Sequence, residues 1–446
     1  MRARARRTIV DMIDDPARNP GLLKLDLYCK GMRLDESCFI EDDGGRPILR
    51  TRAGLGSGLE LILPDGLWTN VPVTEPFTRR SPYELKKNRE EYEIHRDGKF
   101  IARVQLSPQP KWYEWKTSRQ RSMRRVGTLQ GTYLGIYPAR VCEYWLSYPG
   151  HMNKDNCKFC SVGLNLGKDD GDEKSIREVV EVAIAAWRES GITYVDFNTG
   201  HYDGHTFLDI LEPYIRRVKE ETGVLIGVQT PPHPDLSRYD RLKEMGVNRV
   251  SFCFEIFDRK KFEEICPGKH REYGLDTYLD AVDYCARLGE ERTLMDQPWV
   301  SNGEIIAGLE DPESSIAAID WITERGAIPT VCVFRPLLGT DLADREPPQI
   351  EDMVPVFRRL YEACMERDLP IGLAPNIQVS LVMLPEEGRY LIDDPAKYRA
   401  KEFKLAVKRK LFRTKFLHAQ KRLRGKKRSA QAREYPAALP ETQEST

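Results

Sequence analysis

Between residues 192 and 336 the chain repeatedly pairs a short apolar run with a helical pattern, an alternation that implies a parallel sheet with crossover helices. The punctuation supports it. Ser175-Ile-Arg-Glu178 is a capping box, Val179, Val182, Ala183 and Ala186 fall on one helical face, and Gly191 stands where that helix should stop. A strand over 192–198 follows, then a helix over 205–222 with Leu208, Leu211, Ile215 and Val218 in register and Gly223 as terminator. Strands at 224–229, 248–256 and one ending near Gly308 alternate with helices at 237–246 and 275–288. Asp311-Pro312 opens a helix that ends at Gly326, and a strand at 329–334 follows. With 132–137 as first strand this makes six, and a helix over 350–367 leads to a candidate seventh at 369–373. Right-handed crossovers curl such a series into a complete or partial (β/α) TIM-like barrel, with its chemistry at the C-terminal strand ends. The alternative is an open doubly wound sheet, but its G-x-G-x-x-G fingerprint is absent from the first βα turn.

The flanks read differently. Residues 1–127 form a small β-rich domain and a basic linker, with 92–95 and 100–106 pairing around the turn Arg96-Asp97-Gly98-Lys99. The linker over 107–125 carries Trp112, Trp115, Arg119, Arg121, Arg124 and Arg125, and either meets an anionic partner or packs down on its two Trp. The barrel spans 128–385, a basic helical extension 386–428, and a tail rich in Ala, Pro, Gln, Glu, Ser and Thr, expected to be disordered, 429–446. At 40% apolar and 31% charged residues the chain is of the soluble globular class, with no run approaching the roughly 18 apolar residues of a membrane span. The first fifteen residues carry four Arg and no apolar stretch before Asp11, which is not a secretory signal, so the cytoplasm is the expected compartment.

Lys plus Arg equals Asp plus Glu, 69 against 69, so no overall field selects nucleic acid and DNA is not an expected partner. Thirteen of the basic residues nevertheless lie within 401–428, against the single acid Glu402. There Phe403, Val407 and Leu411 form one stripe and Phe412 and Phe416 the next, separated by Lys and Arg. Such a helix can lie peripherally on an anionic membrane, bind an RNA backbone, or pack its stripe on the barrel.

Of the ten cysteines, Cys142, Cys157 and Cys160 stand out, spaced C-x14-C-x2-C just after the first strand. Three thiolates occupy three corners of a [4Fe-4S] cube and leave one iron open to an outside ligand. A zinc site is the competing reading, with His201 and His205 supplying further ligands. At these residues the chain resembles the radical S-adenosylmethionine (SAM) superfamily, whose usual motif is C-x3-C-x-aromatic-C after the first strand of a partial or full barrel. Cys157, Phe159 and Cys160 match its second half. Asn153 occupies the position of the motif's first cysteine, so Cys142 must serve across an enlarged loop.

Later landmarks extend the resemblance over residues 129–375. Thr199-Gly200-His201 stands where the family has the turn whose backbone meets the SAM amino group. Alternation in the fourth strand puts Phe252, Phe254 and Ile256 under the helices and Ser251, Cys253 and Glu255 inside. The resemblance then implies that Glu255 bonds the SAM ribose; a structural ion pair is the plainer role. Ile306 and Gly308 belong to the strand that in the family contacts adenine. Pro336-Leu-Leu-Gly339-Thr340 and Ile265-Cys-Pro-Gly268 are similar to segments of the branch containing biotin synthase, the thiazole tyrosine lyase and the hydrogenase maturase. Arg335, at the mouth of the sixth strand, is placed to clamp a carboxylate of substrate or SAM, or to pair with an acidic loop.

The resemblance thus implies two cofactors, a [4Fe-4S] cluster and SAM, and hydrogen abstraction from a small-molecule or lipid-like substrate by a 5'-deoxyadenosyl radical. It also implies an electron donor such as a flavodoxin or ferredoxin. Cys253 and Cys332 either hold a second cluster or are buried packing, the use expected of Cys29, Cys38, Cys266, Cys285 and Cys364. The rival functions are an iron-sulfur carrier or assembly scaffold and a zinc-binding barrel protein.

Overall fold

The structure, a computed structural model, describes residues 16–39, 49–50, 57–146, 155–168, 170–290 and 298–434. The expectations for residues 1–15 and for the tail from 435 lie outside them.

Six parallel strands, which we number β1 (Tyr133–Ile136), β2 (Tyr194–Asn198), β3 (Leu225–Thr230), β4 (Arg249–Glu255), β5 (Val300–Ala307) and β6 (Ile328–Val333), lie side by side in chain order. Thr128–Gln130 pairs antiparallel outside β1, so β1 and β6 do not meet and the barrel is partial. The expected seventh strand at 369–373 is absent; Pro370 offers no N–H to a ladder and Gly372 takes a left-handed φ of 63°. The Pro312–Glu324 and Ile350–Glu366 helices follow the strands as expected. The Ile176–Ala185 helix begins in the capping box of Ser175 and Glu178, both halves of which are formed. Phe252 and Phe254 of β4, and Ile256 just after it, are fully buried.

The N-terminal part is a second seven-stranded sheet, mostly antiparallel, in which Glu91–Arg96 and Lys99–Leu106 make the expected hairpin with Asp97 and Gly98 at positive φ. It is bound to the barrel through the helix Pro20–Lys30. Leu23 and Leu27 of that helix enter the core of the N-terminal sheet, while Leu22, Leu25 and Tyr28 enter the barrel core. On the barrel side the buried Lys24 bonds Glu387 at 2.7 Å and the Tyr28 hydroxyl donates to the Ser380 carbonyl at 2.6 Å. The basic linker is packed: Trp112 is fully buried and donates to Ser190, and Arg121 pairs with Glu178 at 3.3 Å.

The C-terminal helix Arg399–Glu434 crosses the N-terminal ends of the strands and continues past 429, where a disordered tail was expected. Phe412 and Phe416 pack against Tyr133, Tyr194 and Leu225 at the starts of β1, β2 and β3, and Gln420 accepts from the Trp187 indole at 2.7 Å. The neighbouring stripe faces outward, with Phe403 72% and Leu411 68% exposed. Among the described residues no helix is long and apolar enough to cross a membrane.

Candidate active site

At the C-terminal ends of the strands, where a βα series presents its loops, Cys142, Cys157 and Cys160 line one cavity of about 120 Å³. All three are free thiols. The loop after β1 that carries Cys142 is zipped onto the loop after β2. Glu143 N–H donates to the His201 carbonyl at 3.0 Å, His201 N–H donates to Cys142 Sγ at 3.4 Å, and the Tyr202 hydroxyl donates to the Arg140 carbonyl at 2.6 Å. Gly200 lies at the closest approach: a Cβ built there would stand 2.3 Å from Cys142 Cβ and 2.8 Å from the Tyr137 hydroxyl. This glycine is required by the neighbouring loop whatever else its backbone meets.

The second cysteine loop rests on the two motifs that resemble one branch of the superfamily. Lys158 N–H donates to the Ile265 carbonyl at 2.9 Å and Gly268 N–H to the Asp155 carbonyl at 3.1 Å. Asn156 reaches Asp341 at 2.9 Å, and Leu342 N–H donates to the Lys158 carbonyl at 3.2 Å. Cys266 lies against Cys157, and its hydrogen bond, helped by the charge of Lys269, outweighs burial and holds the Cys157 thiol below the usual range. Burial pushes Cys142 up to about 11 and Cys160 up to about 12. Thiols that are costly to ionise when buried, yet receive N–H groups from His201 and Val162, suit ligation by a cationic iron centre that shares the charge.

Glu255 lines the same cavity, and the backbone is bent to put it there. The β4–β5 register shifts between Cys253 and Glu255, Glu255 takes a φ of 69°, and Ile256 N–H bonds back to the Phe254 carbonyl at 2.8 Å. This is a tight three-residue turn in a strained conformation, which a fold retains where the side chain must be re-aimed. Lys269 meets Glu255 at 3.0 Å and also bonds the Cys253 carbonyl. Burial opposes the Lys269 charge, but Glu255 and the Cys157 thiol overcome it and hold the amine well above its usual range.

Phe159, Thr199, Gly200, His201 and Ile306 line this cavity together with the cysteines and Glu255. Thr199 is tied to the Gln229 carbonyl, and His201 stacks on Tyr144 at 4.5 Å while its Nδ1 meets the Tyr273 hydroxyl at 2.7 Å. Two expected residues lie elsewhere. Gly308, at φ 94°, packs against Pro348 just past the end of β5. Arg335 is buried and turned toward the N-terminal sheet, bonding Asn70 Oδ1 at 3.1 Å and the Asn70 carbonyl at 2.8 Å over the Tyr28 ring. Neither lines the cavity that holds the cysteines.

The histidines of the zinc reading find carboxylates. Among the described residues the ligand atoms gathered within 4.8 Å of one another are those of His201, His205 and Glu272, and of Glu143, His201 and Asp203, with no cysteine in either set. Sequence reasoning missed Lys269 and Glu304, while Cys266, expected as packing, is fully buried against Cys157. The parity that turns Ile306 inward also turns Glu304 inward, a signal open to reading; Lys269 is brought in by a helix after β4.

Residues 154–311 match the model of the Radical SAM superfamily. Among curated proteins the chain is similar to bacteriochlorophyllide c C-7(1)-hydroxylase of Chlorobaculum limnaeum, 22% identical over 67% of this chain and 76% of that one. It is also similar to a probable GTP 3',8-cyclase of Methanocella arvoryzae, 27% identical over 35% of this chain and 47% of that one. Among solved structures methylornithine synthase is similar, with 19% identity, a TM-score of 0.38, and coverage of 52% of this chain and 62% of that one. The chain therefore spans less than two thirds of the cyclase and of the synthase. Residues 154–311 thus match a Radical SAM domain, with Cys157 and Cys160 inside the match and Cys142 ahead of it; members of that superfamily use a [4Fe-4S] cluster and S-adenosylmethionine.

Proposed function

We propose that the chain is a radical SAM enzyme that removes a hydrogen atom from a small-molecule or lipid-like substrate. The observation that carries this is the convergence of Cys142, Cys157, Cys160 and Glu255 on one cavity at the C-terminal strand ends. When bound, the cluster and SAM supply an electron and a 5'-deoxyadenosyl radical. The three cysteines hold the cluster. The loop of Thr199, Gly200 and His201 presents backbone groups to the methionine end of SAM, and Glu255, fixed by Lys269, accepts from the ribose. Phe159 and Ile306 exclude water from the reacting space. A flavodoxin- or ferredoxin-type donor delivers the electron. An iron-sulfur carrier would have no use for a carboxylate held at a strained φ of 69° inside the cavity.

Anaerobic reconstitution followed by iron counting, EPR with and without SAM, and assay of 5'-deoxyadenosine tests the reading. About four irons per chain, a SAM-dependent signal and 5'-deoxyadenosine, all lost in Cys157→Ala, are expected. A zinc-loaded protein indifferent to SAM defeats it.

A second reading concerns where the enzyme works. The outward stripe of Phe403, Val407 and Leu411 is set beside Lys404 and Lys408, so the helix matches an anionic lipid surface. Flotation with phosphatidylglycerol vesicles should recover the protein and phosphatidylcholine vesicles should not; loss of the difference in Phe403→Ser/Leu411→Ser supports the reading, and equal flotation of variant and parent removes it.

A further inference from the structure

The partial barrel holds a second cavity, of about 410 Å³, below the one that holds the cysteines. Asn198, Gln229 and Glu304 line both and form the partition between them. The lower chamber is lined by the 370–386 segment and by Phe412 of the C-terminal helix. Its walls are mainly apolar, with Leu373, Ile377, Val379 and Leu381 among them.

Acidic side chains outnumber basic ones on the lining of this chamber. Asp196, Glu304 and Glu386 line it against one cation, Arg249. That guanidinium is already engaged: it meets the Tyr194 hydroxyl at 3.2 Å and Asp196 at 3.4 Å through one nitrogen, and Asn302 at 2.9 Å and Thr330 at 3.2 Å through the other. Gly227 makes room for this arrangement, since a Cβ there would overlap the Tyr194 hydroxyl and Asp196. Arg249 comes no closer to Glu304 than 4.0 Å. The groups that reach Glu304 are neutral donors, Gln229 at 3.2 Å, Ser251 at 3.3 Å and the Cys332 thiol at 3.8 Å. Across the partition Lys269 is bound to Glu255. A buried carboxylate so placed gains most from a ligand that brings its own positive charge.

We propose that the lower chamber binds the substrate, a small molecule with an apolar body and a protonated amine, and that Glu304 is the group that receives the amine. The amine end then lies at the partition, next to the cysteine cavity, and the apolar body lies against the 370–386 segment. Calling this ligand the substrate rests on the radical SAM reading; the binding itself does not. Cys332, committed to Glu304 in the chamber wall, is a donor in this site.

The test uses the reconstituted full chain and three probes of like shape, 2-phenylethylamine, 2-phenylethanol and 3-phenylpropionate, with binding read by calorimetry. The amine is expected to bind at least tenfold more tightly than the alcohol and the carboxylate. Glu304→Gln is expected to remove that preference while the alcohol binds as before, and Ile377→Trp, which fills the chamber, to weaken the amine and the alcohol alike. Iron content and circular dichroism confirm that each variant folds. Equal binding of the three probes, an amine preference that survives Glu304→Gln, or no amine binding at all overturns the proposal. An amine preference in a protein that makes no 5'-deoxyadenosine defeats the radical reading and leaves the cationic site standing; 5'-deoxyadenosine without an amine preference does the reverse.

Discussion

Gly200→Ala isolates the contact between the two loops that form the mouth of the site. The added methyl would stand 2.3 Å from Cys142 Cβ and 2.8 Å from Cys142 Cα, against roughly 3.4–4 Å for an ordinary contact, so one loop must retreat by about 1 Å or more. Overpacking of this kind costs about 1–3 kcal/mol. In a domain of 150–250 residues each kcal/mol lowers the melting temperature by about 2–4 °C, so a fall of several degrees is expected. The retreat also breaks the 3.4 Å bond from His201 N–H to Cys142 Sγ and displaces the cysteine proposed as the first iron ligand. Misplacement by about 1 Å is enough to cost about 100-fold in rate. Scanning fluorimetry, iron content after reconstitution and 5'-deoxyadenosine formation are measured on the same preparations, with Gly425→Ala, whose Cβ meets nothing within 4 Å, as control. A Gly200→Ala protein with unchanged melting, iron and turnover would refute the argument that this glycine exists to admit the Cys142 loop.

Arg335→Ala removes two hydrogen bonds to Asn70 from a buried guanidinium, a loss of about 2–3 kcal/mol. Faster amide exchange in Trp68–Val71 is expected, and a fall in SAM affinity without that change would return Arg335 to the role of a cofactor clamp. Burial, with Glu255 adding to it at Glu304, raises Glu304 and Glu386 from 4.5 to about 7, so the folded state holds protons that the unfolded chain releases. Their contribution to stability is complete below about 4.5 and disappears as pH rises through about 7. The melting temperature of Glu304→Gln/Glu386→Gln should therefore fall less steeply than the parent's over that window, and parallel curves would contradict the assignment. Cys253→Ala/Cys332→Ala should keep about four irons per chain, because Cys332 is engaged by Glu304; a larger iron content in the parent that this variant loses would establish a second cluster.

Features held by neighbours in the chain are legible in the sequence alone. The capping box of Ser175 and Glu178, the hairpin at Asp97 and Gly98, and the buried apolar face of Phe252 and Phe254 in β4 depend only on spacing and stand as read, whereas Glu255 reaches the cavity through a bend that alternation does not foretell. The run at 369–373 fails because Pro370 and Gly372 deny it the ladder, a local signal outweighed by its apolar neighbours. Arg335 cannot be placed from sequence: its position at the end of β6 is correct, but its partner Asn70 lies 265 residues away in another sheet. Lys269 presents the same difficulty, since nothing local tells that the short helix after β4 folds back over Glu255. The cysteines, Glu255 and Ile306 are within reach because strand ends in a βα series converge whatever the loops do.

The helix Pro20–Lys30 also sets the order in which the molecule can be completed. During synthesis Lys24 waits for Glu387, 363 residues later, and Tyr28 for Ser380, 352 residues later. At about 5–20 residues per second that interval is roughly 20–70 s, during which Leu22, Leu25 and Tyr28 lack the barrel surface that finally covers them. The N-terminal sheet can close on Leu23 and Leu27 in the meantime, so one side of the helix is sheltered while the other remains open. Closing the Pro20–Lys30 helix upon the 380–387 segment is thus a late step of folding, and a truncation before Glu387 would leave a sticky helix face as well as an open barrel.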